Sequence, residues 1–329
     1  MGFVAKNTER LDSDSQAVVD ALNAAGSSEL GQKTPAEVRA WMTENFRPYD
    51  LNPKPQVAAI EAFTVPSIAD GESVDIPVRL YRPTNPDNGL LPILVYFHAG
   101  GYVFGDLETL DGFCRCFAQE AGSLVLSVDY RRAPEHKFPA AIEDCYAATL
   151  WAGNHAAELG ADPNRLAVGG DSSGGTLAIV TAQLAIERGS PNICHQFLWY
   201  PGVGSEEPTA SARDFATGYF LESDLMAWSM KHYLTPGADI DDPRIQPLKY
   251  DRLADMPPTY LMTAGFDPRR DDNLLYAQRL ADAGVATEFH CVESTIHGFL
   301  FMLGGIGVAR EALSDSSHYA WEAFANMVS

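Results

Sequence analysis

The sequence predicts an α/β protein in which a mostly parallel central sheet is covered by helices on both faces. Continuous apolar runs recur along the chain, as they do in strands that are buried on both faces. Segments with helical periodicity lie between these runs, and this alternation is typical of a parallel sheet. The chain has 329 residues, 46% of them hydrophobic, which is enough for one large domain with an inserted or appended lid.

The first 50 residues have a helical pattern. Residues 13–25 place apolar side chains at helical spacing. Thr34 is followed by Pro35 and Glu37, which supply an N-cap, a proline at the first helical position and an acidic first turn. Two helices are therefore predicted in this segment.

Two strands with no helix between them follow, and strands and helices alternate after that. The first two strands, residues 57–66 and 73–83, predict an antiparallel edge. Further strands are predicted over residues 90–97, 123–130, 165–170, 195–202, 258–265 and 285–292. Helices are predicted over residues 108–121, 139–154, 174–188, 271–283 and 307–327. Residues 203–235 interrupt the alternation, beginning as a loop and ending as a helix rich in large apolar side chains.

Composition and charge argue against nucleic acid, membranes and structural zinc as partners of this chain. The 23 basic and 44 acidic residues give a net charge of −21, which repels nucleic-acid phosphates and anionic lipid surfaces. No apolar run is long enough to span a bilayer, and the N-terminus lacks the apolar core of a signal peptide. The five cysteines form no C-x-x-C pair and are expected to be free thiols. We therefore expect a cytoplasmic protein with no nucleic-acid partner, no membrane insertion and no structural zinc.

A serine between paired glycines is the first chemical signal. Gly170, Ser172 and Gly174 form a G-x-S-x-G pattern between a predicted strand and a predicted helix, which is the context of a nucleophile elbow. Glycine two positions before and after the serine relieves the crowding of such a strained turn. The N–H of Ser173 would point toward the same reacting atom. By itself, the pattern fits a glycine-rich strand–helix turn equally well.

A serine nucleophile needs a base, and in this arrangement the chain order is serine, acid, histidine. His297 lies in a loop after the last predicted strand, so it would reach the same sheet edge as Ser172. The other histidines beyond the serine are His195, His232, His290 and His318. Asp267 follows the strand over residues 258–265 and is the predicted acid. Its rivals Asp271 and Asp272 fall in the first turn of a helix, where acidic residues commonly cap.

A glycine-rich segment completes the pattern. His98-Ala99-Gly100-Gly101 follows a buried strand, and its small residues would let backbone N–H groups approach a developing oxyanion. The segment alone also fits a turn with a hydrogen-bonded histidine. Because this loop, the serine, the acid and the histidine occur in the expected order, each at a strand end, they together predict nucleophilic serine catalysis.

Four motifs resemble the hormone-sensitive-lipase-like, or bacterial family IV, carboxylesterases of the α/β-hydrolase superfamily. The resemblance covers about residues 60–329. It is carried by HAGGYVFGD, by VDYRRAPEHKFPAAIEDCYAATLW, by GDSSGG, and by DPRRDDNLLYAQRLADAG followed by IHGF. It implies an α/β-hydrolase fold with a helical cap, an ester substrate, no metal or organic cofactor, and a possible homodimer.

The resemblance also implies a role for particular residues. Ser172 would be the nucleophile, His297 the base and Asp267 the orienting acid. The oxyanion would be bound by the main-chain N–H groups of Gly100, Gly101 and Ser173. Ala99 departs from the family, which usually has glycine there, and its methyl group is tolerable only if its φ is not positive. Structural bracing of the site is implied for Tyr130, Arg131, Pro134, Glu135, Pro139, Asp144 and Asp171.

The resemblance divides the chain into a core and a cap. Residues 51–202 and 241–329 would form the α/β-hydrolase core. Residues 1–50 and 203–240, here called the two cap segments, would cover the site. The residues that could line a substrate pocket, or instead pack the interior of the cap, are Tyr219, Phe220, Leu221, Met226 and Trp228.

The predicted function is hydrolysis of short- to medium-chain carboxylic esters through an acyl-enzyme. Two alternatives remain open from the sequence. An amidase or peptidase could use the same scaffold, because the residues do not reveal which leaving group is protonated. A small-molecule-binding protein could keep the fold without catalysis.

Overall fold

An eight-stranded sheet forms the centre of the protein. The computed structural model describes residues 2–69, 72–84, 89–205 and 207–327. The strands are β1 Ala59–Ala69, β2 Glu72–Arg82, β3 Leu91–Phe97, β4 Leu124–Val128, β5 Ala161–Asp171, β6 His195–Trp199, β7 Thr259–Phe266 and β8 Thr287–Ile296. They lie in the order β1-β2-β4-β3-β5-β6-β7-β8. β2 is antiparallel to both of its neighbours and every other pair is parallel, which confirms the predicted antiparallel edge.

Helices connect the strands and cover the sheet. They are α1 Ser13–Ala24, α2 Pro35–Phe46, α3 Asp111–Glu120, α4 Ala140–Asn154, α5 Ala156–Leu159, α6 Ser173–Arg188, α7 Ala210–Asp214, α8 Ser223–Tyr233, α9 Arg270–Asp282 and α10 Gly307–Ala325. The N-cap expected at Thr34 is confirmed: its side chain and that of Glu37 form a reciprocal capping box at the start of α2. None of the helices in the described segments has the length and apolar character needed to cross a bilayer.

The core lies within the parallel part of the sheet. β4, β6 and β7 are buried along their whole length, and β3 is buried except at its first residue, as the continuous apolar runs predicted. Aromatic rings fill the space below the site, where Trp199 contacts Phe113 edge-on with ring centroids 4.9 Å apart. This packing fixes the positions at which the strands end.

The parallel topology brings four loops to one edge of the sheet. Ser172 follows directly after β5, Asp267 after β7 and His297 after β8. The glycine-rich segment that begins at His98 follows β3, the neighbour of β5. Because the carboxyl ends of parallel strands meet at the same edge, residues far apart in the sequence become neighbours there.

Several predicted boundaries shift in the structure. β4 ends at Val128 and β6 at Trp199, two and three residues earlier than predicted, while β8 continues to Ile296. α3 begins at Asp111 because residues 107–110 form turns. The interruption after β6 contains two helices, α7 and α8, where the sequence predicted one.

Candidate active site

Ser172 occupies a strained turn between β5 and α6. Its backbone has φ 53° and ψ −119°, a conformation that a non-glycine residue rarely adopts. A Cβ atom at position 174 would lie 1.9 Å from the carbonyl oxygen of Phe97, and one at 170 would lie 2.4 Å from the carbonyl of Gly174. Both positions therefore need glycine, and the turn directs the serine side chain into a cavity at the sheet edge.

A chain of hydrogen bonds joins three of the predicted residues. The Nε2 atom of His297 lies 2.9 Å from the Oγ of Ser172, and its Nδ1 lies 2.7 Å from the Oδ2 of Asp267. The other carboxylate oxygen of Asp267 accepts a hydrogen bond from the N–H of Arg269 at 2.7 Å. An ionised carboxylate only accepts, so Nδ1 carries the proton and Nε2 is free to accept from the serine hydroxyl.

The rival acids and histidines lie elsewhere. Asp271 pairs with Arg270 and accepts from the N–H of Ser211, so its carboxylate is engaged away from the imidazole. His195 is buried in the core, which lowers its pKa to about 4, and His290 pairs with Glu288 at the surface. Among the described residues, no group of three or more His, Cys, Asp and Glu side chains is arranged to hold a metal ion.

The glycine-rich segment after β3 forms a tight turn beside the serine. Gly100 has φ 136° and Gly101 has φ 55°, and a Cβ at position 100 would lie 1.9 Å from the carbonyl oxygen of Phe104. The N–H groups of Val103 and Phe104 both donate to the carbonyl of Gly100 at 2.9 Å. Ala99 has no positive φ, so its methyl group meets the condition derived from the sequence.

Asp171 connects this loop to the histidine loop. Its Oδ1 accepts hydrogen bonds from the Tyr96 hydroxyl at 2.6 Å and from the N–H of Ala99 at 2.9 Å. Its Oδ2 accepts from the hydroxyl of Tyr200 at 3.4 Å, and that hydroxyl accepts from the N–H of Leu300. Burial raises the pKa of Asp171 to about 6, although the Tyr96 hydroxyl and nearby imidazoles favour the ionised form.

The second motif supports the loop from below. The Tyr130 hydroxyl donates to the carbonyl of His98 at 2.7 Å, and the two rings stack with centroids 4.3 Å apart. Arg131 makes two hydrogen bonds to the buried carboxylate of Asp144, which holds the strand end in place.

Arg39 ties the N-terminal segment to this support, a role the sequence analysis missed. Its guanidinium makes two hydrogen bonds to Glu135, at 2.8 and 2.7 Å. It also donates to the carbonyl oxygens of Val103 and Ala133. The guanidinium therefore bridges α2, the glycine-rich loop and the second motif. No spacing in the sequence indicates this contact, because Arg39 and Glu135 are 96 positions apart.

The cavity above Ser172 has a volume of about 1200 Å³ and is bounded by both cap segments. Of the predicted pocket residues, Phe220, Leu221 and Met226 line it, whereas Tyr219 and Trp228 do not. The ring of Tyr219 packs against Phe215 and Phe266, with centroids 5.2 and 5.5 Å apart.

Trp228 links the two cap segments. Its indole N–H donates to the carbonyl of Lys33 at 2.8 Å, and its ring packs on His232. Neither ring lines the cavity, so packing rather than pocket lining, of the two alternatives that the sequence left open, describes Tyr219 and Trp228. Tyr219 packs on Phe266 of β7 as well as on Phe215. Met42 and Phe46 of α2 also line the cavity from the N-terminal segment, and no motif in the sequence marks them as pocket residues.

The fold and the site define an α/β hydrolase with a serine at a strained strand–helix turn. A family model described as alpha/beta hydrolase fold matches residues 94–301. Esterase LipI from Mycobacterium tuberculosis is 43% identical over 246 residues, which are 74% of this chain and 77% of the relative. Ethyl acetate hydrolase from Pseudomonas putida is 38% identical over 251 residues, 75% of this chain and 78% of that protein.

A solved structure is similar over almost the whole chain. It is a serine-to-alanine mutant of LAE6, an α/β-hydrolase enzyme from the metagenome of Lake Arreo in Spain, with a TM-score of 0.91 and 34% identity. The match covers 97% of this chain and all of that one. This chain belongs to the hormone-sensitive-lipase-like, family IV carboxylesterases, and it is a carboxylic ester hydrolase.

Proposed function

We propose that the protein hydrolyses esters through a covalent acyl-enzyme on Ser172, with His297 as the base and Asp267 as the orienting acid. One observation carries this proposal: the hydrogen bonds of 2.9 and 2.7 Å that join serine, imidazole and carboxylate without a break. Nucleophile and base within hydrogen-bond reach, with the base oriented by a third group, are the signature of an activated serine.

Proton transfer follows from this geometry. Nε2 of His297 takes the hydroxyl proton as Oγ of Ser172 attacks the ester carbonyl carbon, and the carbonyl oxygen becomes an oxyanion. Collapse of this intermediate expels the alcohol, which receives the proton from Nε2. Water then attacks the carbonyl carbon of the acyl-enzyme and gives a proton to Nε2. When this second intermediate collapses, Oγ of Ser172 leaves and takes the proton from Nε2, and the carboxylic acid is released. Asp267 stabilises the cationic imidazole at both stages.

The oxyanion donors in this proposal are the main-chain N–H groups of Gly100, Gly101 and Ser173. Ser173 is the first residue of α6, so its N–H has no partner within the helix. The loss of one such donor typically raises the barrier by about 3 kcal/mol. The chemistry requires no metal or organic cofactor.

We further propose short- to medium-chain esters as substrates and residues 1–50 and 203–240 as the cap. The rings of Phe46, Phe220 and Phe301 all line the cavity, and Phe46 contacts the other two, with centroids 5.0 Å from Phe220 and 5.5 Å from Phe301. Such a continuous aromatic wall would limit the length of an acyl chain. The relative from Pseudomonas putida is an ethyl acetate hydrolase, which supports a small ester as the substrate.

A reducing compartment is also part of the proposal, since all five cysteines are free thiols. Association into a homodimer stays a prediction.

Purified wild type and Ser172→Ala would test the mechanism on 4-nitrophenyl esters from acetate to dodecanoate. We expect the variant to lose more than about a thousandfold in kcat/KM. An organophosphate should add its phosphoryl mass to wild type only, and the exposed Ser13→Ala variant should behave as wild type. Faster turnover of a matched anilide would favour an amidase, and a loss below about a hundredfold with Ser172→Ala would refute the assignment.

A further inference from the structure

The charge of the cavity lining is opposite to that of the whole chain. The chain has 44 acidic and 23 basic residues. Among the described lining residues the balance is reversed, with three acidic side chains and five basic ones. The acidic lining residues are Asp50, Asp106 and Glu108, and the basic ones are Arg39, Arg47, Lys54, Arg132 and Arg269. Whether this lining can attract an anion depends on which of its cations lack a carboxylate partner.

Most of these cations already have a carboxylate partner. Arg39 pairs with Glu135 at 2.7 Å, and Lys54 pairs with Asp50 and Asp111, both at 2.9 Å. Their charges are neutralised within the protein, so they offer little to a ligand.

Arg132 is engaged as well. It lies 3.6 Å from the carboxylate of Asp129 and donates to the carbonyl of Gly105.

Arg269 differs from these three. Its guanidinium makes no hydrogen bond to any residue that the structure describes, and its nearest described carboxylate, Asp272, is 4.0 Å away. The side chain is only 26% exposed, so water replaces the missing partner only in part. Arg47 also lines the cavity, but its side chain is exposed to solvent. Arg269 is therefore the cavity cation that is both largely buried and weakly paired.

Arg269 lines the same cavity as Ser172 and is connected to it through Gly202 and Thr176. A Cβ atom on Gly202 would lie 3.8 Å from the Cζ of Arg269. Gly202 in turn exchanges hydrogen bonds with the hydroxyl of Thr176, at 2.7 and 3.1 Å. Thr176 lies one helical turn after Ser172, and its N–H donates to the carbonyl of that serine. All four residues line the same cavity.

We propose that Arg269 binds a carboxylate carried by the substrate, so that the enzyme prefers esters of dicarboxylic acids or of hydroxycarboxylic acids over uncharged esters of equal length. This inference rests on the proposed ester hydrolysis at Ser172. A guanidinium presents paired N–H donors that match the two oxygens of a carboxylate, and such charge-assisted hydrogen bonds are the strong ones. Ser172 and Arg269 line one cavity, so an ester bound at Ser172 would have Arg269 on the wall of the same cavity.

Two pairs of substrates of matched length test the proposal. For a carboxylate on the acyl side, 4-nitrophenyl hydrogen glutarate is compared with 4-nitrophenyl pentanoate. For a carboxylate on the alcohol side, 4-acetoxybutanoate is compared with butyl acetate. The quantity measured is the ratio of kcat/KM for the charged ester to that for the neutral ester. It is determined for wild type, Arg269→Gln and Arg269→Lys, and for the exposed control Arg252→Gln, which changes the net charge equally.

We expect Arg269→Gln to lower this ratio at least about tenfold in one of the two pairs. Arg269→Lys should retain only part of the preference, because it keeps the positive charge but loses the paired N–H donors, and Arg252→Gln should leave the preference unchanged. A role of Arg269 in folding alone would lower both rates equally and leave the ratio constant. A ratio unchanged within about twofold in both pairs overturns the proposal.

A wild-type measurement guards against misfolding of the variant. The ratio for the preferred pair should fall as sodium chloride rises from about 10 to 500 mM, because salt screens a partly exposed ion pair. A ratio independent of salt in both pairs argues against Arg269 binding the carboxylate. Failure to hydrolyse either neutral ester would refute the proposed function itself, which is a different result from hydrolysis without charge preference.

Discussion

Replacing Asp171 by asparagine should make the protein more stable at neutral pH while it slows catalysis. Asp171 is completely buried, and burial raises its pKa from an ordinary value of 3.8 to about 6. The groups that face the carboxylate are the hydroxyls of Tyr96 and Tyr200 and the imidazoles of His98 and His297. These favour the charged form, but they do not offset the loss of hydration.

The magnitude follows from proton linkage. The folded state holds the proton more tightly than the unfolded state, so ionisation of Asp171 costs stability as the pH rises from about 4 to 6. With these two pKa values, the cost is about 2 kcal/mol at pH 5 and reaches about 3 kcal/mol at pH 8. An asparagine has no such cost at either pH. Its oxygen can still accept from Tyr96 and Ala99, and its amide can donate to Tyr200.

Urea unfolding of wild type and Asp171→Asn at pH 5 and pH 8 measures this effect. The free energy of unfolding of the variant, minus that of wild type, should be about 1 kcal/mol larger at pH 8 than at pH 5. Subtracting the two free energies of unfolding at the same pH cancels the contribution of the other carboxylates, which are common to both proteins. The exposed Asp251→Asn variant controls for the change in net charge. A difference that does not change with pH would show that Asp171 titrates normally and that burial does not control its ionisation.

Three further substitutions test the supports of the site. Gly100→Ala should lower kcat on 4-nitrophenyl acetate by at least about a hundredfold, because its Cβ would lie 1.9 Å from the carbonyl oxygen of Phe104. Arg39→Gln should lower the free energy of urea unfolding by about 1–2 kcal/mol, since its bonds to Glu135 and two carbonyls are lost. Tyr200→Phe should cost about 1–3 kcal/mol in the same assay by leaving a buried N–H unpaired.

Each of these expectations has a control. Gly89→Ala introduces a methyl group where nothing lies within 4 Å, so it should leave kcat unchanged. Arg213→Gln removes an exposed guanidinium that contacts no carboxylate among the described residues, so its stability should match that of wild type. Full activity of Gly100→Ala, or wild-type stability of Arg39→Gln or Tyr200→Phe, would contradict the corresponding role.

The sequence predicted the sheet and the strand ends because both depend on local patterns. Buried strands are apolar without interruption, and a parallel sheet brings every residue that follows a strand to one edge. Ser172, Asp267 and His297 each follow a strand directly, so their proximity was expected without coordinates. The antiparallel edge was likewise visible in two strands with no helix between them.

The cap was less predictable because its contacts are between distant segments. Helical periodicity distinguishes buried from exposed positions, but it does not say which neighbour covers them. Trp228 is 6% exposed, and its indole N–H donates to the carbonyl of Lys33, which is distant in the chain. The sequence alone does not distinguish a tryptophan buried in this way from one that lines a substrate pocket. Arg39 was overlooked for the same reason, as nothing near it in the chain marks its partner. Tyr96 and Tyr200 were overlooked because a buried tyrosine in an apolar strand resembles ordinary core.

The two cap segments contact each other as well as the cavity above Ser172. Trp228 of α8 donates to the carbonyl of Lys33, two residues before α2 begins, and α8 packs against the short helix Ser27–Gln32. A chimera that takes only one of these segments from a related esterase would inherit a surface shaped for an absent counterpart. To alter selectivity, both cap segments should therefore be replaced together.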